Sequence, residues 1–269
     1  MSASTPHSSD PTRVIMALDS SQYDSLVADY ESSLYLPSRR CTEVNFFANL
    51  GDVRGQRILD LSTGTGHYAR AMAKLGASHI VGVDINSGML GKARELIAAD
   101  SSVPKDVIKL ELGDVFAPLS LKNADPGSFD VVTGVWSLNY AGNQAMVDHA
   151  FNNVGKYLKS GGRFVTIVPN KVAHGGERND WYGVSKRIIG EVENGFRIRT
   201  IFLMDSPIEF DNYDLDHSVF IKAAKGAGLR DFKTDAKEKI APPLRAGEDQ
   251  AYWDRYLASP LFDVVTATK

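Results

Sequence analysis

Three acidic residues stand at the ends of three apolar runs, and their spacing is where this chain could do chemistry. Asp60 follows Ile58-Leu59, Asp84 follows Ile80-Val81-Gly82-Val83, and Asp114 follows Leu110-Glu111-Leu112-Gly113. Beyond Asp60 the chain continues Leu61-Ser62-Thr63-Gly64-Thr65-Gly66 and then His67-Tyr68-Ala69-Arg70. Ser62, Gly64 and Gly66 sit two apart, so a ligand can approach the backbone where a side chain would otherwise stand. This reads as a buried strand, a turn of small residues and a helix that starts near Gly66. Asp84 lies roughly twenty residues beyond the glycines, the distance expected of an acid that accepts from ribose hydroxyls. Such an arrangement is a nucleotide-cofactor crevice at the carboxyl ends of parallel strands.

Two cofactors compete for the turn. Gly64-Thr65-Gly66-His67-Tyr68-Ala69 satisfies G-x-G-x-x-G/A, which suits a dinucleotide. Asp60 separates the two. A dinucleotide brings an anionic pyrophosphate, which a carboxylate at the strand end repels. S-adenosylmethionine (SAM) brings an ammonium, a carboxylate and a sulfonium, and no phosphate. The acid suits the ammonium, and the helix N-terminus suits the carboxylate. The residues therefore favour SAM, with S-adenosylhomocysteine (SAH) as the demethylated product, and Asp114 is placed to accept from the adenine amino group.

The elements that must position these acids follow from the apolar pattern. Ala69, Met72 and Ala73 form the inner stripe of the helix after the turn; Met89, Ala93, Leu96 and Ile97 repeat it, and Met146, Ala150, Val154 and Leu158 do so again before Gly161. Strands alternating with such helices imply an α/β fold with a doubly wound, mostly parallel sheet. The segments ILDLSTGTG, VGVDIN, LELGDVF, FDVVTGVWSLNYA and LKSGGRFVTIVP, taken together, resemble the class I SAM-dependent methyltransferases from Arg57 to Pro169. Ser62 departs from the glycine usual there. The resemblance implies a Rossmann-like sheet of seven strands with an antiparallel edge strand made by Arg230-Asp231-Phe232-Lys233-Thr234 and the terminal Phe262–Lys269. It implies Ile85, Met89, Val115 and Val135 as further cofactor contacts. LKSGGRF is read as a helix ending at Gly161-Gly162, with the fifth strand following. The second half, with its YWDRYLASP helix, is more loosely similar to toxoflavin-type azapteridine methyltransferases.

Met1 to about Pro11 is rich in Ser, Thr and Pro and reads as a disordered tail, with one domain over 12–269. Tyr23, Leu26, Val27 and Tyr30 have helical spacing within Ser20–Tyr35, which predicts a lid helix. By resemblance to the glycine N-methyltransferase type, Tyr30 contacts the cofactor and Arg40, in Ser38-Arg39-Arg40-Cys41-Thr42-Glu43, binds its carboxylate. Residues 170–216 break the rhythm: a loop around His174, a short helix over Asp180–Val192 and a strand from Phe196. This insertion after the fifth strand is where acceptor specificity is expected.

Methyl transfer from a sulfonium is an in-line displacement in which the protein positions an acceptor and excludes water. Trp136, Asn139 and Tyr140 follow the fourth strand, beside where the methyl group should sit, and aromatic faces there tolerate a sulfonium and stack a planar acceptor. His174 is the candidate base for a hydroxyl acceptor. His67 contributes mainly its backbone N–H, and His149 and His217 are structural. Trp181, Tyr182, Phe196 and Phe202 are expected to be divided between the acceptor pocket and lid packing. The same cofactor fold could instead serve a non-methylating reaction, and the intact acids do not show turnover.

With 43% hydrophobic and 23% charged residues, the 269-residue chain can build an ordinary globular core. A net charge of −3 gives no reason to expect nucleic acid. Cys41 is the only cysteine, which excludes an internal disulfide and fits a reducing compartment. No apolar run is long enough to span a membrane, and MSASTPHSSDPTR lacks the apolar core of a signal peptide. No metal-ligand constellation is apparent. The expectation is a cytoplasmic protein, a monomer or homodimer, that takes a small-molecule acceptor.

Overall fold

A computed structural model of the chain describes residues 20–24, 27, 30–170, 178–235 and 250–269. The expected tail at 1–11 and His174 lie outside the described residues. In chain order the strands are β1 Arg57–Leu61, β2 His79–Asp84, β3 Ile108–Leu112, β4 Phe129–Val135, β5 Leu158–Pro169, β6 Arg178–Trp181, β7 Val184–Val192, β8 Gly195–Phe202, β9 Ile208–Leu215, β10 Arg230–Asp235 and β11 Phe262–Thr268. The helices are α1 Pro37–Leu50, α2 His67–Lys74, α3 Ser87–Ala99, α4 Gln144–Tyr157, α5 His217–Gly226 and α6 Gln250–Leu257.

Seven strands form one sheet in the order β10-β11-β5-β4-β1-β2-β3. β1 is parallel to β2 and β4, and β11 runs antiparallel to both β5 and β10. Ile58, Leu59, Val81, Val131 and Val132 are all fully buried, as central parallel strands covered on both faces require. Strand order reverses between β1 and β4, which opens a crevice at their carboxyl ends. Helices are started there by side chains: Asn86 Oδ1 accepts from Met89 N at 2.9 Å, and Asn143 Oδ1 from Met146 N at 2.9 Å. The seven-stranded, mostly parallel sheet expected from the sequence is present.

Three local expectations change. The helix expected to run to Gly161-Gly162 stops at Tyr157, and the glycines lie inside β5. Leu158 pairs with Phe129 but Arg163 with Val131, so the glycines absorb a register shift. Gly161 has φ 77°, a left-handed value that glycine adopts without steric cost. Second, the described residues of Ser20–Tyr35 form two 3-10 helices, Ser20–Tyr23 and Tyr30–Tyr35, and not one lid helix, with Leu26 outside the described residues. Ser33 Oγ donates to Tyr30 O at 2.6 Å, a local bond that competes with the helix ladder.

Third, Asp180–Val192 is not helical. It contributes to a four-stranded antiparallel sheet ordered β6-β7-β8-β9. Val184, Phe202, Ile208 and Phe210 of this sheet bury themselves in the same apolar layer as Phe46, Val165, Ile167 and Phe262. Lys186 and Asp214, 3% and 2% exposed, form an ion pair of 3.1 Å there, and the Lys186 ammonium lies 5.2 Å from the Phe262 ring centre. Val192 pairs with Gly195, so β7 and β8 are joined by the two-residue turn Glu193-Asn194, with Asn194 at φ 63°.

Candidate active site

A cleft enclosing about 900 Å³ of space, part of it open solvent, sits over the carboxyl ends of β1 to β4. Its floor is Ser62 and Gly64 after β1, and Asp84, Ile85, Asn86 and Met89 from β2 into α3. Gly113, Asp114, Val115 and Phe116 after β3 continue it. Val135, Trp136, Tyr140 and Met146 after β4 form the opposite wall, and Gln22 and Tyr30 close the mouth. Eleven of the residues singled out from sequence thus line one cavity: Tyr30, Ser62, Gly64, Asp84, Ile85, Met89, Asp114, Val115, Val135, Trp136 and Tyr140.

Asp84 ties the first two turns together. Its Oδ2 accepts from Gly64 N at 2.8 Å and its Oδ1 from Asn86 N at 2.9 Å. Burial raises its pKa, and the backbone N–H groups of Asn86, Gly64 and Ile85 oppose that rise without cancelling it. Asp114 Oδ1 accepts from Phe116 N at 2.8 Å, which turns the chain after β3. Ser62 and Trp136 both have left-handed backbones, φ 59° and 61°. For a tryptophan this is strained, and such strain gathers at ligand sites. Ser62 Oγ lies 2.9 Å from Ser137 Oγ, a hydrogen bond that joins the β1 and β4 turns. Burial alone pushes the Tyr140 phenol far above its ordinary pKa, so it is protonated at neutral pH.

Three expected site residues take other places. Asp60 is 2% exposed and does not line the cleft. Its Oδ2 accepts from Thr63 Oγ1 and its Oδ1 from Thr133 Oγ1, both at 2.7 Å, so it braces the turn from beneath. Burial raises its pKa first, and neighbouring Asp84 adds to the rise, against the two hydroxyls. Gly66, at φ 75°, caps α2 with only 3.3 Å between a built Cβ and Ala93 Cβ; it lets α2 pack on α3 and does not line the cleft. Arg40 is exposed on α1. Its neighbour Arg39 is 3% exposed, donates from Nη1 to Ser33 Oγ at 2.7 Å, and lies 5.3 Å from the ring centres of Tyr30, Trp136 and Phe202. Among the described residues no carboxylate pairs with Arg39. Helical register counted from Pro37 puts Arg39 with buried Thr42 and Phe46, a signal the sequence contained.

His67 is engaged at Nε2 by Glu43 Oε1, 2.5 Å away, and does not line the cleft. His149 is exposed on α4, and His217 starts α5 with Nε2 3.3 Å from Pro169 O. None of Trp181, Tyr182, Phe196 and Phe202 lines the cleft. Trp181 Nε1 donates to Ser259 O at 3.0 Å, and the Tyr182 hydroxyl donates to Tyr252 O. Sequence reasoning missed Gln22, Asn86, Gly113 and Phe116 as cleft residues and took Met146 for core. Gln22 Oε1 accepts from Asp211 N at 3.0 Å, and Asn86 Nδ2 donates to Asp24 Oδ1 at 2.8 Å. Residues 20–24 therefore strap the inserted sheet to the β2 turn.

The donor set can be tested against the two cofactors. Among the described residues no lysine or arginine lines the cleft, whereas Asp84 and Asp114 do. A pyrophosphate would meet the two carboxylates of the floor; an adenosine carrying a sulfonium would meet acids for its hydroxyls and amino group, and Ile85, Met89 and Val115 for its ring. Residues 52–223 match the sequence family described as a methyltransferase domain. The chain belongs to that family.

This methyltransferase shares 35% identity over 119 residues with a demethylmenaquinone methyltransferase of Symbiobacterium thermophilum, a match covering 44% of each chain. It shares 32% over 107 residues with a ubiquinone biosynthesis O-methyltransferase of Neisseria meningitidis, covering 39% of this chain and 42% of the other. The matched region thus spans less than half the length of these curated relatives. In fold, a SAM-dependent methyltransferase from Mesorhizobium loti superposes with a TM-score of 0.60 at 21% identity, over 85% of this chain and 98% of the other. The methyltransferase is of the class I, SAM-dependent type, and SAM is its cofactor. Among the described residues no group of three or more His, Cys, Asp or Glu is placed to hold a metal ion, and no helix is long and apolar enough to cross a membrane.

Proposed function

We propose that this methyltransferase moves the methyl group of SAM to a nitrogen or oxygen of a small, planar metabolite. The observation that carries the reading is the continuity of the acid-lined floor with a wall of Trp136, Tyr140, Phe116 and Met146. Flat apolar surface of that kind stacks a ring. Relatives named for demethylmenaquinone and for ubiquinone biosynthesis fit a ring-shaped acceptor, as does the looser likeness to azapteridine methyltransferases.

The donor supplies an electrophilic methyl on a sulfonium, which leaves as a neutral thioether. Asp84 holds the ribose hydroxyls, and Asp114 with Val115 addresses adenine. The Ser62–Gly64 backbone and the α2 N-terminus receive the methionyl end. Arg39, in the role the sequence suggested for Arg40, neutralises the methionyl carboxylate from behind Tyr30. Trp136 tolerates the cationic centre, and Tyr140, held protonated, orients the acceptor by hydrogen bonding and is no base. An amine acceptor arrives neutral; a hydroxyl acceptor gives its proton to a base, for which His174 remains the candidate. A net charge of −3 and a cleft that no described lysine or arginine lines favour a small molecule over nucleic acid. A cytoplasmic monomer or homodimer completes the proposal.

Isotopically labelled SAM, incubated with the protein and a metabolite extract, should label a ring-containing product. Tyr140→Phe should lower turnover at least tenfold while SAM affinity changes less than twofold. The reverse pattern would remove Tyr140 from the acceptor side, and label found only in protein or nucleic acid would defeat the small-molecule reading.

A further inference from the structure

No described residue of β6 to β9 lines the cleft, yet the inserted sheet bears on its wall. Trp136 is the point of contact. It lines the cleft, and its Nε1 is buried, so the ring offers the cavity carbon surface and not its N–H. Its backbone stands at φ 61°, a conformation that a tryptophan keeps only where its surroundings impose it. The chain beside it is pinned: Ser137 N donates to Gly134 O at 3.2 Å, and the Ser137 hydroxyl meets Ser62 Oγ. These bonds fix the turn and leave the ring to be held by other groups.

Two groups hold it. The Phe262 ring, at the start of β11, has its centre 4.4 Å from that of Trp136 at an interplanar angle of 81°. Such edge contacts between aromatic rings are directional, which an aliphatic neighbour would not be. The Arg39 guanidinium lies 5.3 Å from the Trp136 ring centre. Phe262 is itself fixed, 5% exposed and paired with Pro169 of β5. From β7 the Lys186 ammonium stands 5.2 Å from the Phe262 ring centre, held by Asp214 of β9 at 3.1 Å. Phe202 of β8 has its ring centre 5.3 Å from the Arg39 guanidinium. Both groups that hold Trp136 are thus touched by the inserted sheet.

We propose that Phe262 is a positioning residue for methyl transfer. It holds the Trp136 ring as the wall on which a planar acceptor stacks, and it carries the influence of the inserted sheet to that wall. Acceptor choice then depends on residues that never touch the acceptor. This rests on the small-molecule methyltransferase reading and adds the residue that sets the acceptor wall.

The test uses the full chain with its tryptophans labelled by nitrogen-15. Three tryptophans give three indole N–H signals, and the one lost in Trp136→Phe is assigned. In Phe262→Leu the Trp136 indole N–H should exchange with water at least tenfold faster, while those of Trp181 and Trp253 keep their rates. SAH affinity by calorimetry should change less than twofold. With isotopically labelled SAM and serial dilutions of a metabolite extract, the extract concentration that gives half the maximal labelling rate should rise at least fivefold. Lys186→Met with Asp214→Leu leaves Phe262 in place and should speed the same exchange; it carries the test if Phe262→Leu does not fold. A residue that only fills the core would lower the Tm and leave both the Trp136 exchange and the half-saturation unchanged. Unchanged Trp136 exchange in either protein, or faster exchange with unchanged half-saturation, overturns the proposal. Wild-type protein that labels no small molecule defeats the reading of the acceptor instead, and the exchange rates still report whether Phe262 places Trp136.

Discussion

Buried acids are treated in opposite ways in the donor cleft and in the inserted sheet. Asp60 and Asp84 are met by hydroxyls and backbone N–H groups, never by a cation, and burial raises the pKa of both. In the inserted sheet Asp214 has Lys186 at 3.1 Å, and Asp211 has Arg199 at 2.6 Å and Arg197 at 2.8 Å. Burial works to raise Asp211 too, but hydrogen bonds from Arg199 and Arg197 outweigh it and hold its carboxyl below the ordinary range. Asp84, left without a cation, faces the cleft and a ligand, whereas Asp60 only braces the turn beneath it. An acid already paired spends its charge on holding the fold together.

The sharpest way to break that contrast is Lys186→Met, which strands Asp214 uncompensated and should cost about 3–5 kcal/mol of stability. Urea unfolding would read it, and Lys186→Met with Asp214→Leu should recover most of the loss while SAM affinity stays unchanged. A neutral single variant would mean that the pair joins nothing. Asp84→Ala should cost about 1.5–3 kcal/mol of SAM affinity in calorimetry, the size of lost charge-assisted hydrogen bonds. Unchanged affinity would take Asp84 out of the donor site. In the inserted sheet, Asn194→Ala at φ 63° should cost about 1–2 kcal/mol, with Asn194→Gly close to neutral, because only the backbone is at stake there.

The smallest effect is one of pH. Asp84 has a raised folded pKa, so its contribution to fold stability is fully present below its unfolded pKa and is lost as pH rises through the folded one. Asp211 is the reverse: its contribution is present above 3.8 and is lost as pH falls through its lowered pKa. Ribose binding needs the Asp84 carboxylate, so SAH affinity should fall on acidification while pH is still above 3.8, before the Asp211 pairs break. Calorimetry between neutral pH and the ordinary aspartate pKa checks this, and a flat affinity would contradict it.

The donor half was legible because each parallel strand carries its functional acid or small residue at its own end. The motif is local, and only contacts across the sheet escaped it. Asp60 shows the limit: the hydroxyl that occupies its Oδ1 belongs to Thr133, 73 residues away. Between Arg39 and Arg40 the helical register decides exposure: counted from Pro37, Arg39 falls with buried Thr42 and Phe46, and Arg40 faces solvent. The inserted sheet was illegible for a different reason. Ser185, Lys186, Arg187 and Gly190 interrupt the apolar residues of β7, and Lys186 faces inward because Asp214, on another strand, receives it. The two-residue Glu193-Asn194 turn that folds β7 onto β8 leaves no room for the helix expected before it. Cleft residues such as Gln22 carry no signature of their own; position alone recruits them.

Gln22 has one more consequence. β9 is the last strand of its sheet, and the Gln22 carboxamide meets both the N–H of Asp211, at 3.0 Å, and its carbonyl, at 3.4 Å. A single side chain thus imitates one residue of a neighbouring strand and stops the outer rim of the sheet from serving as a template for another copy. With Gln22→Ala that rim lies bare, and self-association at high concentration is the outcome to watch in sedimentation.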